Sequence, residues 1–280
     1  MNNGKWIIMN MTKTILFPIF LMFLMTSLKA QIVKPIWRER AFTFGLGGTW
    51  QLRKDNLFSP IQYEGFGGEI HMGYEGISDK WFKQLDVWGS FNMSKTYIPK
   101  GYNYSAYLFR GGISYAAMHR VLADNQRFKW YVGGSVFTNG NGQYYLASVN
   151  NILSYDFPTG IAAATYLQKP FRFWRKNLIA STQLTIPLVA YNLRPTYIGF
   201  SNDDFLKSQT GVVALPKLLQ FDWRWSVELP LSNQNKIRLT YRWEYLDDKQ
   251  KGRLQLGTQT LLFQTLFNIP FRSRSKTLKS

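Results

Sequence analysis

The 280-residue chain has no cysteine and only two histidines, His71 and His119. Disulfide scaffolds, thiolate metal sites and cysteine nucleophiles are therefore excluded, and too few ligands remain for a histidine-based metal centre. Past residue 30 the chain has no apolar run near the roughly 18–20 residues of a spanning helix, which removes polytopic helical membrane proteins. Acidic residues are scarce, 16 against 34 Lys and Arg. Aromatic residues are abundant, with 10 Trp, 16 Tyr and 21 Phe.

Residues 1–30 have the layout of a secretory signal peptide. Lys5 and Lys13 form a basic start, and Ile15 to Met25 an apolar stretch interrupted by Pro18. Thr26 to Ala30 then offers a cleavage site that leaves Gln31 first. Met11 is an alternative start for a signal of ordinary length. Without Lys5, Lys13 and Lys29 the rest keeps 31 basic residues and 16 acidic ones. No linker or low-complexity stretch divides 31–280, which reads as one domain with a basic C-terminal tail.

Alternation of period two carries most of the information. From 219 to 231 the odd positions are apolar: Leu219, Phe221, Trp223, Trp225, Val227, Leu229 and Leu231. Between them lie Gln220, Asp222, Arg224, Ser226, Glu228 and Pro230. After the polar turn 232–235 the pattern restarts, with Ile237, Leu239, Tyr241, Trp243 and Tyr245 set against Arg238, Thr240, Arg242 and Glu244. Strand side chains alternate between faces, so these are two antiparallel strands, each apolar on one side and charged on the other. Similar patterns recur around 42–50, 61–74, 85–91, 109–115 and 182–188, with weaker segments at 129–138 and 152–166. In the last strand, 254–269, the apolar pair Leu261-Leu262 reads as a β-bulge.

Ten strands of about 10–14 residues exceed the usual length in soluble sheets and suit a tilted bilayer crossing. In a soluble barrel the apolar face points inward. In an outer-membrane barrel it meets lipid, and the polar face lines the lumen. Mixed charge on the polar faces and heavy aromatic loading of the apolar faces favour the membrane. The fold expected is an all-β, antiparallel, up-and-down transmembrane β-barrel of about ten strands.

The chain resembles small outer-membrane β-barrel proteins of Bacteroidetes-type bacteria. The resemblance lies in the Lys29-Ala30/Gln31 junction, the glycine-aromatic strand Phe42 to Trp50, the run Leu184-Thr185-Ile186-Pro187-Leu188, the hairpin Trp223 to Tyr245 and the closing Leu266 to Phe271. It implies an outer-membrane address in a Gram-negative cell envelope and carries no catalytic motif.

An even strand number puts both termini on the periplasmic side. Outward connections then fall near 52–60, 92–101, 139–151, 191–217 and 246–253. The longest, 191–217, holds Asp203, Asp204 and Lys207 and is the best candidate for an external functional loop. The periplasmic connection 168–177 gathers Lys169, Arg172, Arg175 and Lys176 without an acid, and Arg272, Arg274, Lys276 and Lys279 fill the tail. Such basic patches fit lipid phosphates, anionic wall polymers or acidic envelope proteins, and equally a solvated rim. Nucleic acid is a poor partner for an exported barrel.

Few residues suggest chemistry. His71 shares a predicted face with Glu69, a pairing that fits an oriented general base and also a hydrogen-bonded lumen histidine. No serine lies in 62–76 to complete a lipase-type site. Asp203-Asp204 resembles the acidic pairs of barrel proteases and equally a solvated loop. The pairs Gly47-Gly48, Gly67-Gly68, Gly111-Gly112 and Gly133-Gly134 sit within strands, where close packing explains them better than phosphate binding. No cofactor is implied. The firmest cluster is Asp222, Arg224 and Glu228 facing Arg238, Arg242 and Glu244, whose ion pairs would fill a ten-stranded interior. The leading reading is a non-enzymatic structural or interaction component of the envelope with a charge-filled lumen. The alternatives are an outer-membrane lipase or protease using His71, or a narrow small-solute pore.

Overall fold

The computed structural model describes residues 39–56, 59–96, 104–121, 128–146, 153–174, 176–195, 208–215, 217–249 and 253–270. The proposed signal segment, Asp203-Asp204, Arg175 and the basic tail lie outside them. The described residues form eleven strand segments: β1 (Glu39–Asp55), β2 (Ser59–Ile77), β3 (Trp81–Thr96), β4 (Ser105–Arg120), β5 (Lys129–Tyr145), β6 (Leu153–Phe173), β7 (Lys176–Pro195), β8 (Ser208–Ala214), β9 (Leu218–Pro230), β10 (Lys236–Asp248) and β11 (Leu254–Asn268). Every pairing is antiparallel, and β1 pairs with β11 to close the barrel. β8 pairs with the outer half of β7, from Val189 to Pro195, and β9 with the inner half, from Ile179 to Thr185. Together β8 and β9 make one broken stave, and the barrel has ten.

The registers join into an unbroken circuit. Starting at Gln51 it passes Thr258, Glu244, Asp222, Thr185, Ala164, Gly133, Met118, Phe82 and Ile77 and returns to β1 at Glu39, twelve residues from its origin. A stagger of this size tilts the strands by about 40° to the barrel axis. Tilt and alternation together place the bilayer. On β3 the lipid-facing residues run Lys83, Leu85, Val87, Gly89, Phe91, Met93 and Lys95. The two lysines are about 40 Å apart along the strand and about 30 Å apart along the axis, the span of a hydrocarbon core with its edges. On β1 the apolar residues from Phe42 to Leu52 are bounded likewise by Arg40 and Lys54.

The apolar residues are the exposed ones. Leu46, Ile70, Ile161 and Leu261 are each more than half exposed, whereas Thr43, Gln51, Asn92 and Gln143 are buried. A soluble barrel would show the reverse, so the outer surface belongs to lipid. On β9 and β10 the outward aromatics pack together, with Trp223 and Trp225 at 4.2 Å and Phe221 and Trp243 at 4.7 Å between ring centroids.

Several expectations need correction. The last strand has no bulge at Leu261-Leu262: its pairing with β1 and β10 runs through both residues without a shift. Leu261 faces lipid and Leu262 points into the lumen, which accommodates apolar side chains as well as charges. Register shifts occur instead at the outer end of β1–β2, between Lys54 and Asp55, and in β7, where Ile161 pairs with Val189 but Ala162 with Pro187. The unmatched Leu188 and its neighbour Val189 both face outward, and the inward phase moves from odd to even positions, bringing Ala190, Asn192 and Arg194 inside. The external connection 191–217 is not all loop, since β7 runs on to Pro195 and β8 spans Ser208–Ala214, while 196–207 lie outside the described residues. The basic rim is not a loop either. Lys169 and Arg172 belong to β6 and Lys176 opens β7, so the turn between them is two residues long.

Some glycines are dictated by strand contact. A Cβ on Gly67 would lie 1.8 Å from the carbonyl oxygen of Phe91, and one on Gly47 2.2 Å from that of Leu261. Close backbone approach across paired strands accounts for these residues without any phosphate.

Candidate functional site

The alternation that sends apolar side chains to lipid sends Glu69, His71, Glu75, Asp86, Arg110, Asp222, Arg224, Glu228, Arg238, Arg242 and Glu244 into one interior, and all but Asp222 and Arg224 are under 9% exposed. Arg242 is the hub. Its nitrogens lie 3.2 Å from Glu69, 2.6 Å from Glu244 and 3.3 Å from Asp222. Its guanidinium stands 4.4 Å from the ring centre of Trp88, and that of Arg110 stands 5.0 Å from the same ring. Arg110 also reaches Glu244 at 3.0 Å and donates to Asn141 at 2.8 Å. Arg224 joins Asp222 at 2.8 Å on its own strand and Asp86 at 2.5 Å on β3.

Toward the inner end, Arg238 makes a two-pronged pair with Glu75, at 2.5 and 2.7 Å, and touches Glu228 at 2.6 Å. Lys236 bridges Glu228 at 3.1 Å and Glu39 at 2.7 Å. Toward the outer end, a second group gathers Arg53, Asp55, Ser154, Asp156 and Arg194. Arg53 lies 3.5 Å from each aspartate and donates to Ser154 at 2.9 Å, while Arg194 pairs with Asp55.

All six residues of the expected lumen cluster are brought together, but not as simple cross-strand pairs. Of the rungs between β9 and β10, only Arg238 opposite Glu228 joins unlike charges. Arg242 sits opposite Arg224, and Glu244 opposite Asp222. Like charges directly opposite repel. Here each arginine finds its acid two positions along its own strand or across the lumen on β2 and β3. Sequence reasoning missed those remote partners, together with Arg110 and the outer group. The available signal was that each charge lies in phase with the polar face of its strand.

His71 lies inside this network and is 4% exposed. Its Nε2 is 3.4 Å from an Asp86 oxygen and its Nδ1 is 3.0 Å from the Gln264 amide nitrogen. Gln264 accepts from Thr240 through its oxygen at 2.7 Å, so its nitrogen is the donor to Nδ1, and the ring proton sits on Nε2 toward Asp86. Both ring nitrogens are thus engaged. Glu69 is directed to Arg242 and Thr260 rather than to His71. His119 faces outward at the inner end of β4, edge-on to Trp81 at 5.0 Å. Of the basic rim, Arg172 and Lys176 are exposed and Lys169 is half-buried.

Among the described residues the interior leaves little room. One cavity of about 30 Å³ is lined by His71, Ser181, Gln183, Arg224, Arg238 and Gln264 among others. Another of about 40 Å³ is bordered by Trp88, Ser135, Gln183, Asp222 and Glu244. Each has the size to take a few water molecules and no larger solute. At both ends apolar side chains add to the filling. Phe82, Met118, Tyr131 and Tyr166 pack near the inner rim, and Val213, Leu218, Leu246, Leu254 and Leu256 toward the outer one.

No family model and no curated protein sequence matches the chain. Solved structures do. The outer membrane protease OmpT of Escherichia coli superposes with a TM-score of 0.51 at 7% identity, over 84% of this chain and 98% of that one. The translocator domain of the autotransporter NalP from Neisseria meningitidis gives 0.33 at 10% identity, covering 95% and 99%. Ail, the attachment invasion locus protein of Yersinia pestis, gives 0.30 at 12% identity, covering 82% and 98%. Only the first superposes closely enough to bear on architecture, and at that identity it bears on architecture alone. With lipid-compatible residues outside and a paired charge network inside, the chain has the fold of an outer-membrane β-barrel protein, and the outer membrane is its place.

Proposed function

We propose that the protein is a non-enzymatic structural or interaction component of the outer membrane, a barrel of the architecture that the Bacteroidetes-type resemblance implies, whose lumen is closed by its own side chains. The observation that carries this reading is the ion-pair network spanning the barrel from β9–β10 to β2–β3, with water-sized spaces between its members among the described residues. A solute path would have to break pairs whose loss leaves buried charges uncompensated.

A hydrolase centred on His71 has less support, because both ring nitrogens are engaged, the side chain is buried, and neither adjoining cavity admits a substrate. The protease OmpT shares the fold, and peptide cleavage is therefore one of the activities to assay. The purified protein in planar bilayers should show no stepwise conductance. It should show no lipase or protease turnover that His71→Ala abolishes. Discrete conductance steps would install the pore reading, and His71-dependent turnover the enzymatic one.

A further inference from the structure

The β6–β7 hairpin outgrows the barrel at its inner end. Pairing of β5 with β6 stops at Lys129 and Gln168, and pairing of β7 with β9 stops at Ile179 and Glu228. The three rungs from Phe171–Leu178 to Phe173–Lys176 continue beyond both limits and, among the described residues, have no strand paired on either side. At about 40° of tilt each residue advances about 2.5 Å along the axis, and each step between strands shifts the level by about 3 Å. Followed along the register, Lys169 lies at about the depth of Arg40, where the lipid-facing band ends. Phe173 and Trp174 lie about 10 Å deeper still. The headgroup layer is about 5–8 Å thick, so the tip stands past it in the periplasm.

What the tip displays is unusual for a turn. Trp174 is 86% exposed and Phe173 51%, with their rings stacked 5.8 Å apart at 10°. Trp174 holds φ 43°, a left-handed conformation that Gly or Asn adopts easily and a bulky side chain does not. The hairpin thus keeps a strained, solvent-facing tryptophan where a smaller residue would serve the turn better, and such strain marks functional positions. Arg172 and Lys176 flank the ring pair in the chain, with Lys169 farther up β6, and the chain has no acidic residue between Asp156 and Asp203.

We infer that this hairpin docks an anionic cell-wall glycan, a polymer of sugar rings bearing carboxylates, with Phe173 and Trp174 as the stacking platform and Arg172 and Lys176 as the carboxylate partners. Reach favours the polymer over the bilayer, because the aromatic pair projects past the phosphates that Lys169 can meet. Chemistry favours it over an acidic protein surface, because a flat exposed indole matches the apolar face of a pyranose ring. The inference deepens the interaction role proposed above and rests on it.

The test is cosedimentation of the full-length protein, in a zwitterionic detergent, with purified peptidoglycan sacculi. Sacculi whose carboxylates have been amidated should bind the unmodified protein at least about tenfold more weakly, a comparison that needs no variant. Trp174→Gly, which suits the turn, should weaken binding to native sacculi at least about fivefold, as should Arg172→Gln combined with Lys176→Gln. Gel mobility before and after heating checks that each variant is folded. Equal binding to native and amidated sacculi overturns the inference, as does binding indifferent to Trp174→Gly. If the variants lose affinity only for phosphatidylglycerol vesicles, the hairpin is a lipid anchor and the glycan assignment falls. Fractionation of membranes on a sucrose gradient is scored separately: protein absent from the outer membrane defeats the parent reading, whatever the sacculi show.

Discussion

Two neighbouring hairpins of one barrel wall present opposite interiors. On β9 and β10 the inward side chains from Asp222 to Glu244 include Arg224, Glu228, Lys236, Arg238 and Arg242. On β6 and β7, between Gly160 and Pro187, the inward side chains are Ala162, Ala164, Tyr166, Gln168, Ser181, Gln183 and Thr185, with no charge among them. The two walls adjoin, since Tyr166, Ser181 and Gln183 border the same cavity as Arg224, Arg238 and Arg242. A narrow barrel cannot line every stave with long charged side chains. The mostly small wall makes room, and the charged wall reaches past it to the acids of β2 and β3. Below the rim the contrast reverses. β9–β10 ends in a short turn tied down by Asn235, which accepts from the backbone of Asn268, whereas β6–β7 runs on without flanking strands.

Removing the hub of the charged wall should have the largest effect. Arg242→Met leaves Glu69, Asp222 and Glu244 with a deficit of positive charge in a low-dielectric interior, and should cost about 3–5 kcal/mol. Urea unfolding from lipid vesicles, followed by tryptophan fluorescence, measures it. A loss below about 1 kcal/mol would mean that the lumen is wet enough for water to replace the guanidinium.

The outward faces give the next test. Ile161→Lys places an ammonium near the middle of the hydrocarbon and should cost about 2–4 kcal/mol. Val227→Lys lies near the inner edge of the band and should cost about 1 kcal/mol or less. Equal penalties at both sites would refute the depth assigned from the strand stagger.

Within the charged wall, Ser226→Ala removes the hydroxyl that contacts Thr240 at 2.9 Å and should cost about 1 kcal/mol. The smallest effect is expected on the uncharged wall. Gln183→Glu keeps the shape of the side chain and sets a carboxylate opposite Arg224, so stability should change by less than about 1 kcal/mol. A large loss there would show that the cavity between the walls cannot admit another acid.

The sequence was most legible where lipid and lumen impose different chemistry on alternate residues. From Leu219 to Tyr245 the parity reads directly, and the structure keeps it rung by rung. It failed where both faces accept apolar residues. At Leu261-Leu262 two leucines stand side by side because one meets lipid and the other packs inside, and that mimics a phase slip. At Pro187 to Ala190 four apolar residues in a row conceal a real one. The partners of the lumen charges were illegible for another reason. Whether Arg238 meets Glu75, or Arg224 meets Asp86, depends on how far the sheet shears before it closes, a property of the whole circuit that no single strand carries.

The closing seam sets a condition on how the molecule is made. Ala41 pairs with Asn268 and Asp55 with Leu254, so the first strand waits for the last. Contacts so distant in the chain are slow to form, because the intervening loop must be closed before they return any stability. Until then β1 and β11 are open edges, each able to pair with another chain. The barrel therefore has no stable half-built form, and a chain cut short of β11 would be an aggregation hazard rather than a smaller barrel. Insertion into the membrane is tied to arrival of the C-terminal strand.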